Sequence, residues 1–272
     1  MTFTPQLKHF DIEVAPLPIE DAETLRRDFP GLEMNYETEC PTCHKNRGMY
    51  VNGTVEIDGA LVECPCRLQV NLQRHYLAAG IGAKYHRISP SDWTGDESAL
   101  AKVGDYCANL REHALNGEGL FISGKTGVGK TTLATFVARE AVKQGYSVYF
   151  TTVSNYISLV RAGWRDNEIR RQIYQKTTHS KVLVLDDMYM KKGMGGKVGF
   201  DDEHTAKTVE ELIRTRAQAG QITIITSNID LKLFRAYYGN RLGSLLDESC
   251  IPIHVDGDDK RKKTLERGVF IF

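Results

Sequence analysis

Neither sign of charge dominates the 272 residues: 35 Lys and Arg balance 35 Asp and Glu, for a formal net charge of zero. A whole-surface field strong enough to hold nucleic acid or an acidic membrane is therefore excluded, and any such contact must come from a local patch. No apolar run approaches the roughly 20 residues that a membrane-spanning helix needs. The opening Met1-Thr2-Phe3-Thr4-Pro5 has no basic-then-apolar layout and leads quickly into acidic sequence, so no secretory signal is expected. Repeats of solenoid-like period and extended low-complexity tracts are also missing. The expectation is a soluble, cytoplasmic chain without a membrane partner.

What is present suits one full α/β domain with a smaller module in front. Residues 1–39 form an acidic segment with prolines at 16, 18 and 30. Residues 40–80 hold two tight cysteine pairs and then a helix over 67–79, with Leu68, Leu72, Tyr76 and Ala79 at helical spacing. A linker over 81–97 follows. From 98 to 272 strands and helices alternate, as a parallel sheet with crossover helices requires. The predicted strands are 120–123, 147–152, 182–185, 222–226 and 251–255, and the first is preceded by one helix over 98–115.

The nucleotide signal is direct. Gly124-Lys125-Thr126-Gly127-Val128-Gly129-Lys130-Thr131 fits G-x-x-x-x-G-K-[ST] between an apolar strand and a helix. Glycines let backbone N–H groups turn in around phosphate oxygens, the helix N-terminus adds partial positive charge, and Lys130 reaches the outer phosphates of ATP. Thr131 supplies a hydroxyl to Mg²⁺, and Thr132 is counted with the loop. Val182-Leu183-Val184-Leu185-Asp186-Asp187 is a buried-strand run ending in two acids. Asp186 is read as the magnesium residue, and Asp187 as the residue that orients or deprotonates the attacking water. Asn228 follows another buried run, Ile222-Thr223-Ile224-Ile225-Thr226-Ser227, and is placed to sense the γ-phosphate; a plain helix-capping Asn is the alternative.

These signals, together with Arg241 inside Tyr238-Gly239-Asn240-Arg241-Leu242-Gly243-Ser244-Leu245-Leu246, resemble the AAA+ ATPases of bacterial and phage replicative helicase loaders. The DnaC/DnaI type and the related IstB-type transposition helpers are the nearest pattern, over residues 100–261. The resemblance implies ATP bound at a subunit interface and self-association into a spiral or ring. It also implies contact with single-stranded DNA, docking on a hexameric replicative helicase, and a host-cytoplasmic location if a phage encodes the chain. Arg241 matches an arginine of the family's segment; the position four residues on, where the family carries a second arginine, is Leu245 here. Arg241 alone as the trans-acting finger is the expectation; substitution by another residue and weak hydrolysis in trans are the other readings. Arg261 is similar to a late sensor-type arginine of the family, and an exposed tail cation is the plain alternative.

Cys40-Pro41-Thr42-Cys43 and Cys64-Pro65-Cys66 bracket twenty residues with glycines and strand-like alternation. Two pairs around a short hairpin suit tetrahedral Zn²⁺–thiolate coordination, with His44 as a minor substitute ligand. Cys107 and Cys250 are read as ordinary semi-buried thiols. In the resembling loaders such a region grips the helicase; zinc modules also bind DNA, and composition does not separate the two.

A basic and aromatic stretch (Tyr156, Arg161, Trp164, Arg165, Arg170, Arg171, Tyr174, Lys176) has the mixture used in sequence-tolerant single-strand binding. An exposed face whose aromatics turn into the core is the alternative. Residues 191–197 read as a flexible cationic loop. The leading function is ATP-dependent helicase loading. A transposition helper and a nucleotide-gated adaptor with little turnover remain the other readings. A small-molecule kinase is disfavoured, because no lid-like arginine set follows the phosphate loop.

Overall fold

A computed structural model describes residues 54–57, 59–63, 74–86, 88–188, 191–192, 198–199 and 203–260. Cys40, Cys43, Cys64, Cys66, the acidic segment, residues 193–197, Arg261 and the tail lie outside the described residues. The chain divides into two compact units, residues 1–88 with 142–145, and residues 89–141 with 146–272.

In the first unit, β1 (Thr54–Ile57) and β2 (Ala60–Glu63) pair antiparallel with Ile57 opposite Ala60. Gly59 between them takes φ +77°, a left-handed turn value. Residues 74–78 are helical and Gly80, at φ +81°, follows the last turn. Tyr76 is fully buried, its ring tilted against His86, whose Nε2 lies 2.8 Å from the Ile81 carbonyl.

The second unit runs α1 (Glu97–Ala108), α2 (Leu110–Asn116), β3 (Gly119–Ser123), α3 (Lys130–Lys143), β4 (Val148–Thr152), α4 (Val153–Ala162) and α5 (Asn167–His179). It continues with β5 (Val182–Met188), β6 (Lys191–Lys192), β7 (Val198–Gly199), α6 (Glu203–Gln218), β8 (Ile222–Ser227), α7 (Leu231–Tyr238), α8 (Asn240–Ser249) and β9 (Cys250–His254). Five strands form one sheet in the order β4-β5-β8-β3-β9, every pair parallel. The three inner strands are the continuous apolar runs; β3 and β8 are buried along their whole length because helices cover both faces. The main core packs Phe121 edge-on to Phe234, with Leu183, Leu185, Val209, Ile213, Ile225 and Leu246 around them.

Three local departures from the sequence expectation have physical causes. The helix expected over 98–115 is two helices, broken at Asn109, whose side-chain amide donates to the Asp105 carbonyl and competes with the helical ladder. Strand β5 continues past its two acids to Met188, because a bulge absorbs them. The cationic stretch at 191–192 is not plain loop: it pairs antiparallel with 198–199.

At the end of the sheet away from the phosphate loop lies Arg216, 0% exposed. Its guanidinium donates to the carbonyls of Thr177, Ser180, Lys181 and Ile222, to Gln221 Oε1 and to Thr223 Oγ1. Burial pulls its pKa down to about 9, still high enough to keep it charged at neutral pH. One cation thus ties the exit of α5 to the entries of β5 and β8. Replacing it by Met takes the guanidinium donors from these oxygens, which costs about 1–3 kcal/mol for each buried one left unpaired. Denaturant unfolding of Arg216→Met should show a lower midpoint at an unchanged m value, while the folded fraction still binds ATP. An unshifted midpoint would show that the cage contributes nothing.

Candidate functional site

Parallel strands bring their polar C-terminal residues to one edge. Ser123 of β3 is in register with Ser227 of β8 and His254 of β9, and Thr152 of β4 with Asp186 of β5. The phosphate loop leaves β3 at this edge. Its three glycines take φ of 149°, 82° and 105° at Gly124, Gly127 and Gly129, values that L side chains rarely adopt. Lys125 and Thr126 are exposed, Val128 is buried as an anchor, and Thr132 is half-buried on the first turn of α3. The N-terminus of α3 therefore opens directly behind the loop, where its N–H groups favour an anion.

Lys130 is only 8% exposed and donates from Nζ to the Gly124 and Lys125 carbonyls and to Asn228 Oδ1, each at 2.8 Å. The structure thus brings together the loop lysine and Asn228, which come from different strands. Phosphate oxygens would be stronger acceptors for this ammonium than the three neutral oxygens it donates to.

Asp186 is buried at the end of β5. Thr131 Oγ1 donates to both of its carboxylate oxygens at 3.1 Å, and Thr226 Oγ1 donates to Oδ1 at 2.7 Å. The Thr226 oxygen also accepts the Asp187 N–H at 2.8 Å. Between the pairs Leu185–Ile225 and Met188–Ser227, Asp186 and Asp187 oppose Thr226 alone, so the two acids form a β-bulge. Asp187 takes φ +56°, which Asp tolerates better than most residues, and its side chain is exposed at the strand ends. Thr226 joins the candidate site through these two hydrogen bonds, and no motif marks it. Its only signal was a polar residue one place before the end of an otherwise apolar strand.

Burial raises the Asp186 pKa and the neighbouring Asp187 charge adds to it, while the Thr226 and Thr131 hydroxyls pull the other way without cancelling the shift. A buried carboxylate beside a hydroxyl is a hard-oxygen pair of the kind that holds Mg²⁺ with water and substrate phosphates. Thr131 and Asp186 therefore fit that ion, which would supply charge to offset the phosphates.

Arg241 lies on the exposed face of α8. Leu245 packs against the main core, so the position four residues on faces inward in this chain. A second arginine, Arg235 of α7, packs across Gly243 and pairs with Asp247 of α8. In the basic and aromatic stretch Tyr156 is buried and belongs to the core, which corrects its expected place among stacking residues. Trp164 and Tyr174 are 61% and 58% exposed, beside exposed Arg165, Arg170, Arg171 and Lys176. Arg171 is engaged with Glu168, and Arg161 donates to Thr205.

Comparison with known proteins agrees with this geometry. The profile of a family described as IstB-like ATP binding protein matches residues 105–267. A protein described as ATP-binding in an insertion sequence of Mycobacterium tuberculosis is 33% identical over 115 residues, 41% of each chain. The replicative helicase loader DnaI of Bacillus subtilis is 28% identical over 152 residues, 52% of this chain and 47% of that one. The chain thus spans about half the length of these curated relatives or less. The crystal structure of the DnaC helicase loader superimposes with a TM-score of 0.55 at 20% identity, over 64% of this chain and 100% of that one, a likeness of fold.

The pKa direction at Asp186 gives a signed prediction. A carboxyl whose folded pKa exceeds its unfolded value takes up a proton on folding, so its favourable contribution is lost as pH rises through the folded value. At pH 7 the nucleotide-free protein carries this penalty. Asp186→Asn should therefore raise its thermal midpoint by about 2–4 °C per kcal/mol relieved. The same change should weaken magnesium-dependent ATP binding by about tenfold or more, read by calorimetry with and without Mg²⁺. A lower midpoint in Asp186→Asn would contradict the burial argument.

Proposed function

The chain belongs to the IstB-like ATP-binding protein family, and on that premise we propose that it is an ATPase that loads a replicative helicase onto single-stranded DNA. Lys130 and the loop amides hold the phosphates, and Thr131 and Asp186 hold Mg²⁺. Asp187 orients the attacking water, Asn228 senses the γ-phosphate, and Arg241 of a neighbouring copy offsets the charge that develops there. ATP orders a spiral or ring of copies, and hydrolysis releases it.

The observation that carries the DNA part is the exposed pair Trp164 and Tyr174 among arginines and a lysine on α4–α5 and their junction. Aromatic faces with interspersed cations bind single strands without reading sequence. For the helicase contact we assign the four-cysteine segment. The β1–β2 hairpin, which ends at Glu63, lies between the cysteine pairs, an arrangement that suits a closed structural Zn²⁺ site of Cys40, Cys43, Cys64 and Cys66. The similarity to the insertion-sequence protein favours a second reading, a helper ATPase that serves a transposase on duplex DNA.

Sedimentation of the full chain with its organism's replicative helicase, with and without ATP, tests the first reading. A stable complex is expected; no complex under either condition would remove it and favour the second. Phosphate release should rise with single-stranded DNA and fall to background in Lys130→Ala and Asp187→Asn. Equal rates in wild type and Lys130→Ala would end the ATPase reading. Zinc analysis should find about one ion per chain, lost in Cys64→Ser together with helicase binding.

A further inference from the structure

The phosphate loop is covered by two segments that no motif marks. The first follows the 3-10 turn Pro90–Asp92, which is closed by a capping box between Ser89 and Asp92. Trp93 comes next, its indole Nε1 donating to the Asp96 carbonyl at 3.0 Å. Its ring faces Gly129 so closely that a Cβ there would come within 2.6 Å of it. The second segment leaves β9. Val255 donates its N–H to the Ser123 carbonyl at 2.8 Å, and its own carbonyl lies over Gly124. Asp256 N–H donates to Asp96 Oδ2 at 3.0 Å and joins the two segments.

The end of the second segment meets the loop itself. Lys260 N–H donates to the Gly127 carbonyl at 3.1 Å. The Asp259 carboxyl lies directly on Gly127, in the space that any Cβ there would occupy. Lys260 Nζ stands 3.7 Å from the centre of the Trp93 ring, a cation–π contact. Each of the three loop glycines is thus roofed by a different residue: Gly124 by Val255, Gly127 by Asp259 and Gly129 by Trp93.

A carboxylate against a loop shaped for phosphate is an electrostatic conflict. The loop amides and the α3 N-terminus favour an anion, and Asp259 brings one from within the chain. A triphosphate arriving beside it meets like charge at a few ångströms, where repulsion is appreciable even at the effective dielectric of a protein surface. We propose that Trp93 and Lys260 form a latch that holds Asp259 on the phosphate loop as an internal anion, which nucleotide must displace to load. The inference rests on the reading of this loop as the ATP site. It adds an autoinhibitory contact that sets how much ATP is needed to fill the site.

The test uses the full chain carrying Trp164→Phe, which leaves Trp93 as its one tryptophan. Titration with ATP should change Trp93 emission in step with loading measured by calorimetry. Asp259→Asn should bind ATP about fivefold or more tightly at low salt, a gain that shrinks as salt screens the carboxylate. Lys260→Met should also tighten binding, and should abolish most of the emission change. The latch is overturned if Asp259→Asn binds ATP no more tightly than its parent. It is equally overturned if Trp93 emission ignores ATP in a chain shown to be loaded. Lys130-dependent binding with no gain in Asp259→Asn removes the latch and leaves the ATP site standing, whereas no binding by either protein removes both.

Discussion

Asp186 is a carboxylate at the buried end of an apolar strand, and the arrangement of the site follows from how that charge is held. It receives hydrogen bonds from Thr131 at the start of α3 and from Thr226 near the end of β8. Those two donors fix the distance between the phosphate loop and two neighbouring strands. Thr226 can donate to Asp186 and accept from the Asp187 amide at once only because the bulge puts both acids opposite it. The bulge in turn lets Asp187 leave the sheet and face solvent. One hydroxyl therefore sets the Asp186 carboxylate inward and its neighbour outward, two placements that adjacent residues on a regular strand would reach only by pointing through opposite faces of the sheet.

The opposite end of the same sheet buries a charge of the other sign and resolves it differently. Arg216 is surrounded by six oxygen acceptors from three segments. Hydrogen bonds to a charged group contribute about 1.5–3 kcal/mol each, so a filled cage offsets a desolvation penalty of several kcal/mol. Asp186 receives two hydroxyl donors, and burial disfavours its charged form as it does that of Arg216. Six acceptors make Arg216 a structural staple, while a carboxylate held by two hydroxyls keeps lone pairs that suit a hard cation. Both groups are buried charges of one fold, and the donor and acceptor count around each separates scaffold from site.

Much of this was legible in the sequence, and the reasons differ by element. The phosphate loop was readable because its chemistry is backbone chemistry, and only glycines reach the φ values it needs. The inner strands were readable because burial on both faces leaves them continuously apolar. The break at Asn109 was not, since it depends on one side-chain amide choosing a carbonyl over solvent. Tyr156 and Trp164 look alike in a basic, aromatic stretch, yet Tyr156 packs into the core from α4 and Trp164 faces water from the turn that follows it. Thr226, Trp93 and Asp259 were invisible for a further reason. Each matters through a contact with a residue far away in the chain, and no local pattern records such a contact.

The same distinction bears on the arginines. Leu245 stands where the resembling family carries a second arginine, and in this chain it is partly buried against the main core. Arg241, one turn earlier, lies on the exposed face. Arg235 is engaged with Asp247 on the other flank of the helix. Arg241 is therefore the α8 cation that stands on the open surface. Transition-state charge is stabilised best by groups held in place beforehand. Within a subunit, by contrast, Lys130 and Asn228 are already joined, so a phosphate that captures the lysine releases the asparagine in the same event. Within one chain the fold therefore pre-positions Lys130 for an anion, while Arg241 stays on the exposed face of α8.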